Sequence, residues 1–334
     1  MINKRQTALL KLIVEDYIKT AHPIGSKSLC EKLDCSSATI RNEMSYLEEV
    51  GLLEKTHISS GRVPSEKGYR YYVDNVMVPK ELSGEDMLNL QTIFDNKSLM
   101  LNDSILKSME IISDLTSYTS IVLGKSSKDN KVSKVEVVPL DANNFIAIII
   151  TDKGHVEHKK MFIGEKISIN EIKGVVDIIN KHIIGTPINE VSKKLEYDVK
   201  PIIGSELKQK EMIYNAFYNV FTDIKEPSVK VNKSVNMLRA PEFDNADKIR
   251  KLLDKFEDKE IISGISEDDS DEVKIYIGSE NEFDDDVAII KTKYKINGEE
   301  GTIALVGPKR MQYDKVTALL NYIRKNIEGE IEGE

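Results

Sequence analysis

The sequence predicts a multidomain α+β protein, and three observations support this. The chain has 334 residues, which is long for a single domain. Near both of its ends, apolar residues recur at the three- and four-residue spacing of amphipathic helices. Between these helical segments lie short apolar runs bounded by turn residues, a pattern typical of strands. Helices before, between and after such strands indicate several domains built around an antiparallel sheet.

Composition narrows the class of protein. The chain is 40% hydrophobic and 31% charged, which is typical of a soluble folded protein. It shows no signal-peptide pattern, and its longest apolar run, residues 145–150, is too short to cross a bilayer, so we expect a cytoplasmic protein. Cys30 and Cys35 lack the spacing of a metal or redox pair and are expected to be reduced thiols.

The net charge of −9 is unevenly distributed. Residues 1–80 carry twelve Lys and Arg against ten Asp and Glu, a balance of +2, which leaves −11 for the rest. A nearly neutral N-terminal segment followed by an acidic remainder fits a small DNA-binding module joined to a larger region that contacts proteins.

Three helices are predicted at the start of the chain, over residues 4–20, over 26–33 with Ser26 as N-cap, and from Ser36 or Ser37 to Val50. The third has an apolar stripe that faces inward, formed by Ile40, Met44, Leu47 and Val50. The polar side chains left on its outer side are Ser37, Arg41, Asn42 and Ser45, with Thr39 at the shoulder. This layout is typical of a recognition helix in the major groove, where arginine pairs with guanine and asparagine with adenine.

A short hairpin follows the third helix. Residues 52–55 form a predicted strand, residues 57–62 the turn, and Val63 begins the returning strand, before a helix that starts near Ser65. A helix-turn-helix followed by a hairpin is a winged helix, and the tip THISSGR suits phosphate or minor-groove contact. The alternative is a winged helix that serves as a protein-docking scaffold and never touches DNA.

These residues also carry a family resemblance. The stretch GSKSLCEKLDCSSATIRNEMSYLEEVGLLEKTHISSGRVPSEKGYRYYVD (25–74) closely resembles the N-terminus of the HrcA family, the heat-inducible transcription repressors of bacteria. KIYIGSEN (274–281) and GTIALVGPKRMQYDKV (301–316) resemble later blocks of the same family. Thr56 stands where a proline is expected before the wing histidine, a change that loosens the wing's entry and removes no contact group.

The resemblance implies a fold and a function. The fold is a winged helix, then a GAF-like domain interrupted by an inserted dimerising domain. The function is repression of chaperone operons through an inverted-repeat operator, bound as a dimer, released on heat stress and supported by the GroEL chaperonin. The DNA-facing residues it implies are Ser37, Thr39, Arg41 and Asn42 on the helix and His57, Ser59, Ser60 and Arg62 on the wing. Further phosphate contacts are predicted for Lys27, Lys55, Lys67 and Arg70.

The chain after the winged helix is predicted to contain both strands and helices. Predicted strands at residues 135–140, 145–151, 155–163, 273–277, 287–294 and 302–306 suit an antiparallel GAF-like sheet, and residues 311–327 a final helix. Predicted helices at 104–120, 169–184, 203–222 and 246–256 surround them, and 229–237 is a possible strand. The predicted domains are a winged helix at 1–77, a linker and helix at 78–103, a GAF-like domain at 104–184 and 265–334, and a mostly helical insert at 185–264. Without the resemblance, a separate middle domain fits equally well.

The helix over residues 207–221 is rich in aromatic side chains. Its Tyr214, Phe217 and Phe221 are either core or part of a dimer interface, where Tyr and Phe are enriched.

Other candidate sites fail on spacing. Gly124-Lys125-Ser126 lacks the upstream glycine of a phosphate loop, and His155 and His158 point to opposite faces of a strand. The acidic run at 267–272 lacks the glycine and distal glutamate of a calcium loop. We therefore expect no enzyme, no metal and no cofactor. A ligand-sensing regulator that uses the GAF-like domain is the alternative function.

Overall fold

The computed structural model describes residues 2–55, 61–96, 99, 101–124, 130–152, 156–164, 167–203, 208–224, 229–232, 237–243, 245–266, 272–296 and 299–329. The chain forms two compact units. The first comprises Met1–Gly124, Val229–Ile296 and Glu300–Glu334, and the second comprises Lys125–Ser228 with Asn297–Glu299. The second unit is thus an insertion within the first, and we call it the inserted unit.

The helices, in chain order, are α1 (Lys4–Thr20), α2 (Cys30–Leu33), α3 (Ser37–Glu49), α4 (Glu66–Asn75), α5 (Gly84–Phe94), α6 (Leu101–Thr116), α7 (Ile169–Ile183), α8 (Ile188–Lys194), α9 (Lys200–Ile203), α10 (Lys208–Ile224), α11 (Ala246–Glu257), α12 (Lys259–Gly264) and α13 (Tyr313–Gly329). Short 3-10 turns lie at Ser26–Leu29, Pro241–Phe243 and Gly278–Glu280, and a π-helical turn at Leu195–Val199. The strands are β1 (Leu53–Lys55), β2 (Arg62–Pro64), β3 (Thr119–Leu123), β4 (Val132–Pro139), β5 (Asn144–Thr151), β6 (Val156–Phe162), β7 (Val229–Asn232), β8 (Lys274–Ile277), β9 (Val287–Ile296) and β10 (Glu299–Pro308).

The N-terminal segment forms the predicted winged helix. A capping box between Asn3 and Gln6 starts α1, and the side chains of Ser36 and Ser65 cap α3 and α4. Strands β1 and β2 pair antiparallel, with Glu54 opposite Val63. The predicted helices, hairpin and following helix are therefore confirmed, with the second helix divided into a 3-10 turn and one α-helical turn.

The first unit contains a five-stranded sheet in the order β7-β3-β10-β9-β8. The pairs β3–β10, β3–β7 and β8–β9 are antiparallel. Strand β3 is a correction, because residues 119–120 were predicted to continue a helix. Ser117 takes a left-handed backbone (φ 61°), which ends α6, and the β-branched residues after it extend into a strand.

The winged helix and the sheet share one hydrophobic core. Its buried members include Leu10 of α1, Tyr69 of α4, Leu90 of α5 and Leu319 of α13. The segment 78–103 is therefore more than a linker, which corrects the prediction. Its helix α5 places Leu90 and Phe94 in this core, since apolar side chains at helical spacing favour burial over solvent.

The inserted unit has a sheet of its own. Strands β4, β5 and β6 form the predicted antiparallel meander, with Ile148 of β5 opposite Glu136 and His158. Helix α7 packs against this sheet, and the Asn180 side chain exchanges hydrogen bonds of 2.8 Å with the backbone of Val135.

The predicted boundaries of the insert, residues 185–264, are wrong at both ends. The meander strands, assigned to the GAF-like sheet, pack with α7 and α10 in a separate core. Conversely, β7 pairs with β3, and Leu252 and Phe256 of α11 pack on the five-stranded sheet. A local hydrophobic pattern predicts where a strand lies but not which strand it pairs with, so the sequence did not show that there are two sheets.

The aromatic residues of α10 belong to the core of the inserted unit. Tyr214 is 3% exposed, and Phe217 and Phe221 are fully buried within the single chain. Their side chains have no surface left for a second subunit, so their placement fits the core interpretation and corrects their assignment to a dimer interface.

Candidate nucleic-acid interface

Helix α3 presents polar side chains to solvent beyond its first turn, because its N-cap is formed and its apolar stripe is buried on the other side. The Ser36 Oγ accepts the Thr39 amide at 3.2 Å and lies 2.9 Å from the Thr39 hydroxyl. Ile40 and Met44 are buried on the opposite side, as predicted. Arg41, Asn42 and Ser45 are consequently exposed on one face of the helix.

Ser26 connects the helix-turn-helix to this face. It is 8% exposed and lies inside a 3-10 turn after Gly25, where the sequence had suggested an N-cap. Its Oγ lies 2.8 Å from the Ser37 Oγ and accepts a hydrogen bond of 3.3 Å from Arg41 Nε. These two contacts fix where the Arg41 side chain leaves the helix.

The base of the wing is joined to the turn before the 3-10 segment. Arg62 and Ile24 exchange two backbone hydrogen bonds, of 2.9 and 3.0 Å. Gly61 is buried against Pro23, and a β-carbon at Gly61 would lie 2.8 Å from the Pro23 Cβ. A glycine is therefore required at the point where the wing meets the helix-turn-helix.

Between α3, the 3-10 turn and the wing lies a cleft of about 550 Å³, which we call the basic cleft. It is lined by Gly25, Ser26, Lys27, Arg41, Met44, Ser45, Lys55 and Arg62. Four of these eight residues are cations and none is an acid. Converging cations and hydroxyls of this kind suit the phosphates of a nucleic-acid backbone.

The acids of α3 are held by partners. Glu43 accepts hydrogen bonds from Gln6, at 2.7 Å, and from Arg5, and these bonds lower the pKa of its carboxyl. Glu48 accepts Arg62 Nε at 2.7 Å. Their pairing limits the repulsion that two free carboxylates would exert on a polyanion.

Two cations that were predicted to contact phosphate have partners within the chain. Arg70 points toward the five-stranded sheet, where it binds Glu280 and the Ile275 carbonyl, and Lys67 Nζ donates to the Val50 carbonyl at 3.0 Å. Lys27, Arg41, Ser45 and Arg62 are brought together in the basic cleft. The wing-tip residues His57, Ser59 and Ser60 lie outside the described residues.

Sequence reasoning did not assign the roles of Ser26 and Glu48. Both are ordinary polar residues in their local patterns, and their contacts to Arg41 and Arg62 span 15 and 14 residues along the chain. A carboxylate in the last turn of α3, ahead of an arginine-bearing hairpin, is the local signal for Glu48.

Within the described ranges, no group of three or more His, Cys, Asp or Glu side chains lies close enough to hold a metal ion. None of the described helices has the length and apolar character needed to span a membrane.

A winged helix-turn-helix with an open recognition helix beside a basic cleft defines a DNA-binding transcription regulator. Residues 102–317 match the family described as HrcA protein C terminal domain, and residues 5–63 match the DeoR-like helix-turn-helix domain. The chain belongs to the HrcA family of transcription repressors.

Individual relatives agree with this family assignment. The chain is 39% identical over 333 residues to the "Heat-inducible transcription repressor HrcA" of Bacillus pumilus (strain SAFR-032), and 37% identical to the protein of that name from Lysinibacillus sphaericus. Each match covers 98% of this chain and 97% of the relative. A crystal structure at 2.2 Å, described as a hypothetical protein, matches with a TM-score of 0.66 and 22% identity over 98% of both chains, which shows a shared fold.

Proposed function

We propose that this chain represses heat-shock (chaperone) operons by binding an inverted-repeat operator as a dimer, and releases it on heat stress. The observation that carries the proposal is the exposed row Arg41, Asn42 and Ser45 on α3, directly beside the basic cleft. A helix of this kind enters the major groove with its first turns at the base edges.

The proposed roles divide by chemistry. Arg41 and Asn42 contact base edges, where a good bidentate pair discriminates by about 1–3 kcal/mol. Lys27, Lys55 and Arg62 contact phosphates, which contribute affinity without sequence preference. Thr39 and Ser37 support the helix start, since their hydroxyls already contact Ser36 and Ser26. The wing-tip residues His57, Ser59 and Ser60 are proposed from the family resemblance as further backbone contacts.

A homodimer is proposed through the outer face of the inserted unit's sheet. The face opposite α7 carries Ile146, Ile148 and Ile150 of the central strand, flanked by Val156 and Phe162, which are 53% and 66% exposed. We propose a second copy as the occupant because another chain presents the same apolar stripe. A two-fold axis along β5 places β4 of one copy over β6 of the other, so Glu136 approaches His158 and Lys160.

Heat release follows from marginal stability. If the DNA-competent state is only a few kcal/mol more stable than its alternatives, modest warming depopulates it and the operator is freed. The printed names of the relatives and the family resemblance support heat induction, and the resemblance supports assistance by GroEL. Operator affinity that is unchanged after heating and cooling without chaperonin would count against this part of the proposal.

The central test is fluorescence anisotropy of the protein on a labelled inverted repeat and on a scrambled duplex at fixed salt. We expect the wild type to prefer the repeat and Arg41→Ala to lose most of that preference. We call the part of the first unit outside the winged helix the sheet domain. Arg250→Ala is the matched control, because Arg250 is exposed on α11 of this domain. A uniform loss on both duplexes from Arg41→Ala would refute its role in discrimination. No binding to either duplex, with chaperonin added, would favour a protein-docking scaffold.

A second candidate function is ligand sensing by the five-stranded sheet domain, which the resemblance describes as GAF-like. A cavity of about 310 Å³ there is lined by Tyr276, Phe283 and Lys291 among others, and Lys291 Nζ lies 4.8 Å from the centre of the Tyr276 ring. Native mass spectrometry of the purified protein tests this candidate. A bound small molecule whose removal changes operator affinity would support it.

A further inference from the structure

Helix α4 of the winged helix is fastened to the sheet domain by polar contacts at the 3-10 turn Gly278–Glu280. The Glu66 carboxylate accepts hydrogen bonds from the Ser279 amide, at 3.1 Å, and from the Ser279 hydroxyl. Lys309 Nζ lies 3.8 Å from the same carboxylate. The first turn of α4 is thereby bonded to a segment more than two hundred residues away in the chain.

One turn further along α4, Arg70 makes the strongest of these contacts. Its Nε donates to Glu280 at 2.8 Å, and a terminal nitrogen donates to the second Glu280 oxygen, which makes the pair bidentate. The Ile275 carbonyl and the Asp74 carboxylate accept further hydrogen bonds at 2.6 and 3.2 Å. Because the planar guanidinium of Arg70 is held at several points, these bonds fix the orientation of α4 against the sheet as well as its distance from it.

Gly278 makes this approach possible. It has a left-handed backbone with φ 55°, and a β-carbon there would lie 2.0 Å from a Glu66 carboxylate oxygen. Any other side chain would strain the backbone and displace Glu66. We call Glu66, Arg70, Gly278, Ser279 and Glu280 the clamp.

Apolar packing beneath the clamp extends the contact between the winged helix and the sheet domain. Tyr69 of α4 and Tyr313 of α13 are both buried, with ring centroids 6.0 Å apart. On another side, Arg310 donates to the Ile18 carbonyl in the last turn of α1 at 3.3 Å and pairs with Glu242. Two helices of the winged helix are thus attached to the sheet domain, while Arg41, Asn42 and Ser45 stay exposed.

From this geometry we propose that the clamp residues are positioning residues that set which half-site spacing the repressor accepts. The inference rests on the proposed binding of an inverted repeat by a dimer. Two recognition helices engage two half-sites together only when their separation and orientation match the duplex. A hinge between the winged helix and the five-stranded sheet of the first unit would relax that match, and the clamp removes this hinge.

The prediction concerns coupling between half-sites rather than contact with DNA. Once one half-site is bound, binding of the second is intramolecular, and its effective concentration depends on how well the two recognition helices match the two half-sites. If the recognition helices are no longer held in place, part of the extra affinity from binding both half-sites is lost. A weakened clamp should therefore lower affinity for the preferred repeat by about tenfold and flatten the dependence on spacing. Affinity for a single half-site should stay within about twofold, because no clamp residue lines the basic cleft.

The experiment measures binding to inverted repeats whose spacers differ by single base pairs, and to one isolated half-site, for the wild type and for Glu280→Gln, Arg70→Gln and Gly278→Ala. Glu282→Gln is the matched control, because Glu282 is exposed two residues from Glu280. Urea unfolding of each variant checks its fold. Glu280→Gln keeps the size and shape of the side chain, so it tests the clamp even if Gly278→Ala fails to fold.

We expect a sharp optimum of spacing for the wild type and Glu282→Gln, and a flat profile with intact half-site binding for the clamp variants. An unchanged sharp profile in Glu280→Gln and Arg70→Gln would overturn the inference and leave the proposed function standing. A wild type that binds neither the half-site nor any repeat would overturn both.

Discussion

The Arg62 guanidinium at the base of the wing is bonded to the Glu48 carboxylate near the end of the recognition helix, with Nε and a terminal nitrogen 2.7 and 2.6 Å from Glu48 Oε2. The side chain of Arg62 is 15% exposed and that of Glu48 is 34% exposed. This pair links the wing to α3 from the side that borders the basic cleft, so it governs how much positive charge the cleft offers to DNA.

Replacing Glu48 with glutamine should strengthen DNA binding. The change removes one negative charge next to the cleft and leaves the charge of Arg62 available to a phosphate. We expect affinity to rise a few-fold for the inverted repeat and for a scrambled duplex alike, and the gain to shrink at high salt. Anisotropy titrations at two salt concentrations check this, and a gain restricted to the repeat would contradict it.

Replacing Arg62 with alanine should have the opposite and equally unselective effect. A phosphate contact contributes affinity on any sequence and releases counterions. Arg62→Ala should weaken binding to both duplexes and reduce the slope of log affinity against log salt by about one. Arg250→Ala should leave the slope unchanged, and a loss confined to the specific operator would give Arg62 a different role.

Two helical glycines should respond oppositely to alanine. A β-carbon at Gly68 of α4 would lie 2.0 Å from the Leu52 carbonyl oxygen, whereas one at Gly174 of α7 would meet nothing within 4 Å. Gly68→Ala should therefore destabilise the fold by about 1–3 kcal/mol through overpacking. Gly174→Ala should stabilise it by about 0.5–1 kcal/mol, because alanine loses less backbone entropy in a helix.

Urea unfolding followed by circular dichroism measures both effects. Equal shifts of the unfolding midpoint in the two variants would contradict the close approach of α4 to the start of the wing.

The contribution of Glu280 to stability should depend on pH. Burial acts to raise the pKa of this carboxyl, but hydrogen bonds from Arg70 and the Ile277 amide lower it below its ordinary value of 4.5. A depressed folded-state pKa stabilises the fold above the ordinary value, and this stabilisation is lost as the pH falls through the folded-state pKa.

We therefore expect wild type and Glu280→Gln to differ in unfolding midpoint by a constant amount between about pH 6 and pH 8, and the difference to shrink below about pH 4. Glu282→Gln, at an exposed position outside the clamp, is the control variant. A difference that grows on acidification would give the pKa of Glu280 the opposite sign of shift.

A charge on the outer face of the inserted unit's sheet should prevent the proposed dimer. Ile148→Lys places an ammonium at the centre of the apolar stripe, where a second copy would bury it, and its acidic cross-strand neighbour Glu136 is already bonded to Lys134. Sedimentation equilibrium should show a monomer at concentrations at which the wild type is a dimer. Leu88→Lys is the control, since Leu88 is 64% exposed on α5. A dimer that persists in Ile148→Lys would assign the interface to another surface.

Local patterns predicted the winged helix well because its elements are specified by neighbours in the sequence. Ser36 caps α3 through the Thr39 amide, and the stripe of Ile40, Met44 and Leu47 sets its buried face. The outward placement of Arg41, Asn42 and Ser45 follows from the same 3.6-residue period. Ser37 points partly inward because Ser26, eleven residues earlier, offers it a hydroxyl.

What the sequence did not reveal depends on distant partners. Arg70 looks like a phosphate contact until Glu280, 210 residues away, is placed beside it. The two sheets likewise consist of similar short strands, and only the pairing of β3 with β7 and β10 separates them. Such pairings depend on tertiary packing, on which a local pattern carries no information.

The way the inserted unit joins its host has an evolutionary consequence. Leu123, at the end of β3, is the register partner of Val229, at the start of β7, so the chain leaves and re-enters the host sheet at neighbouring positions. For the sheet of the first unit, residues 125–228 take the place of a hairpin turn, because they connect two paired antiparallel strands. Descendants of this chain can therefore change the length of the inserted unit without disturbing the pairing of β3 with β7, provided that the outer face of its sheet still forms the proposed dimer.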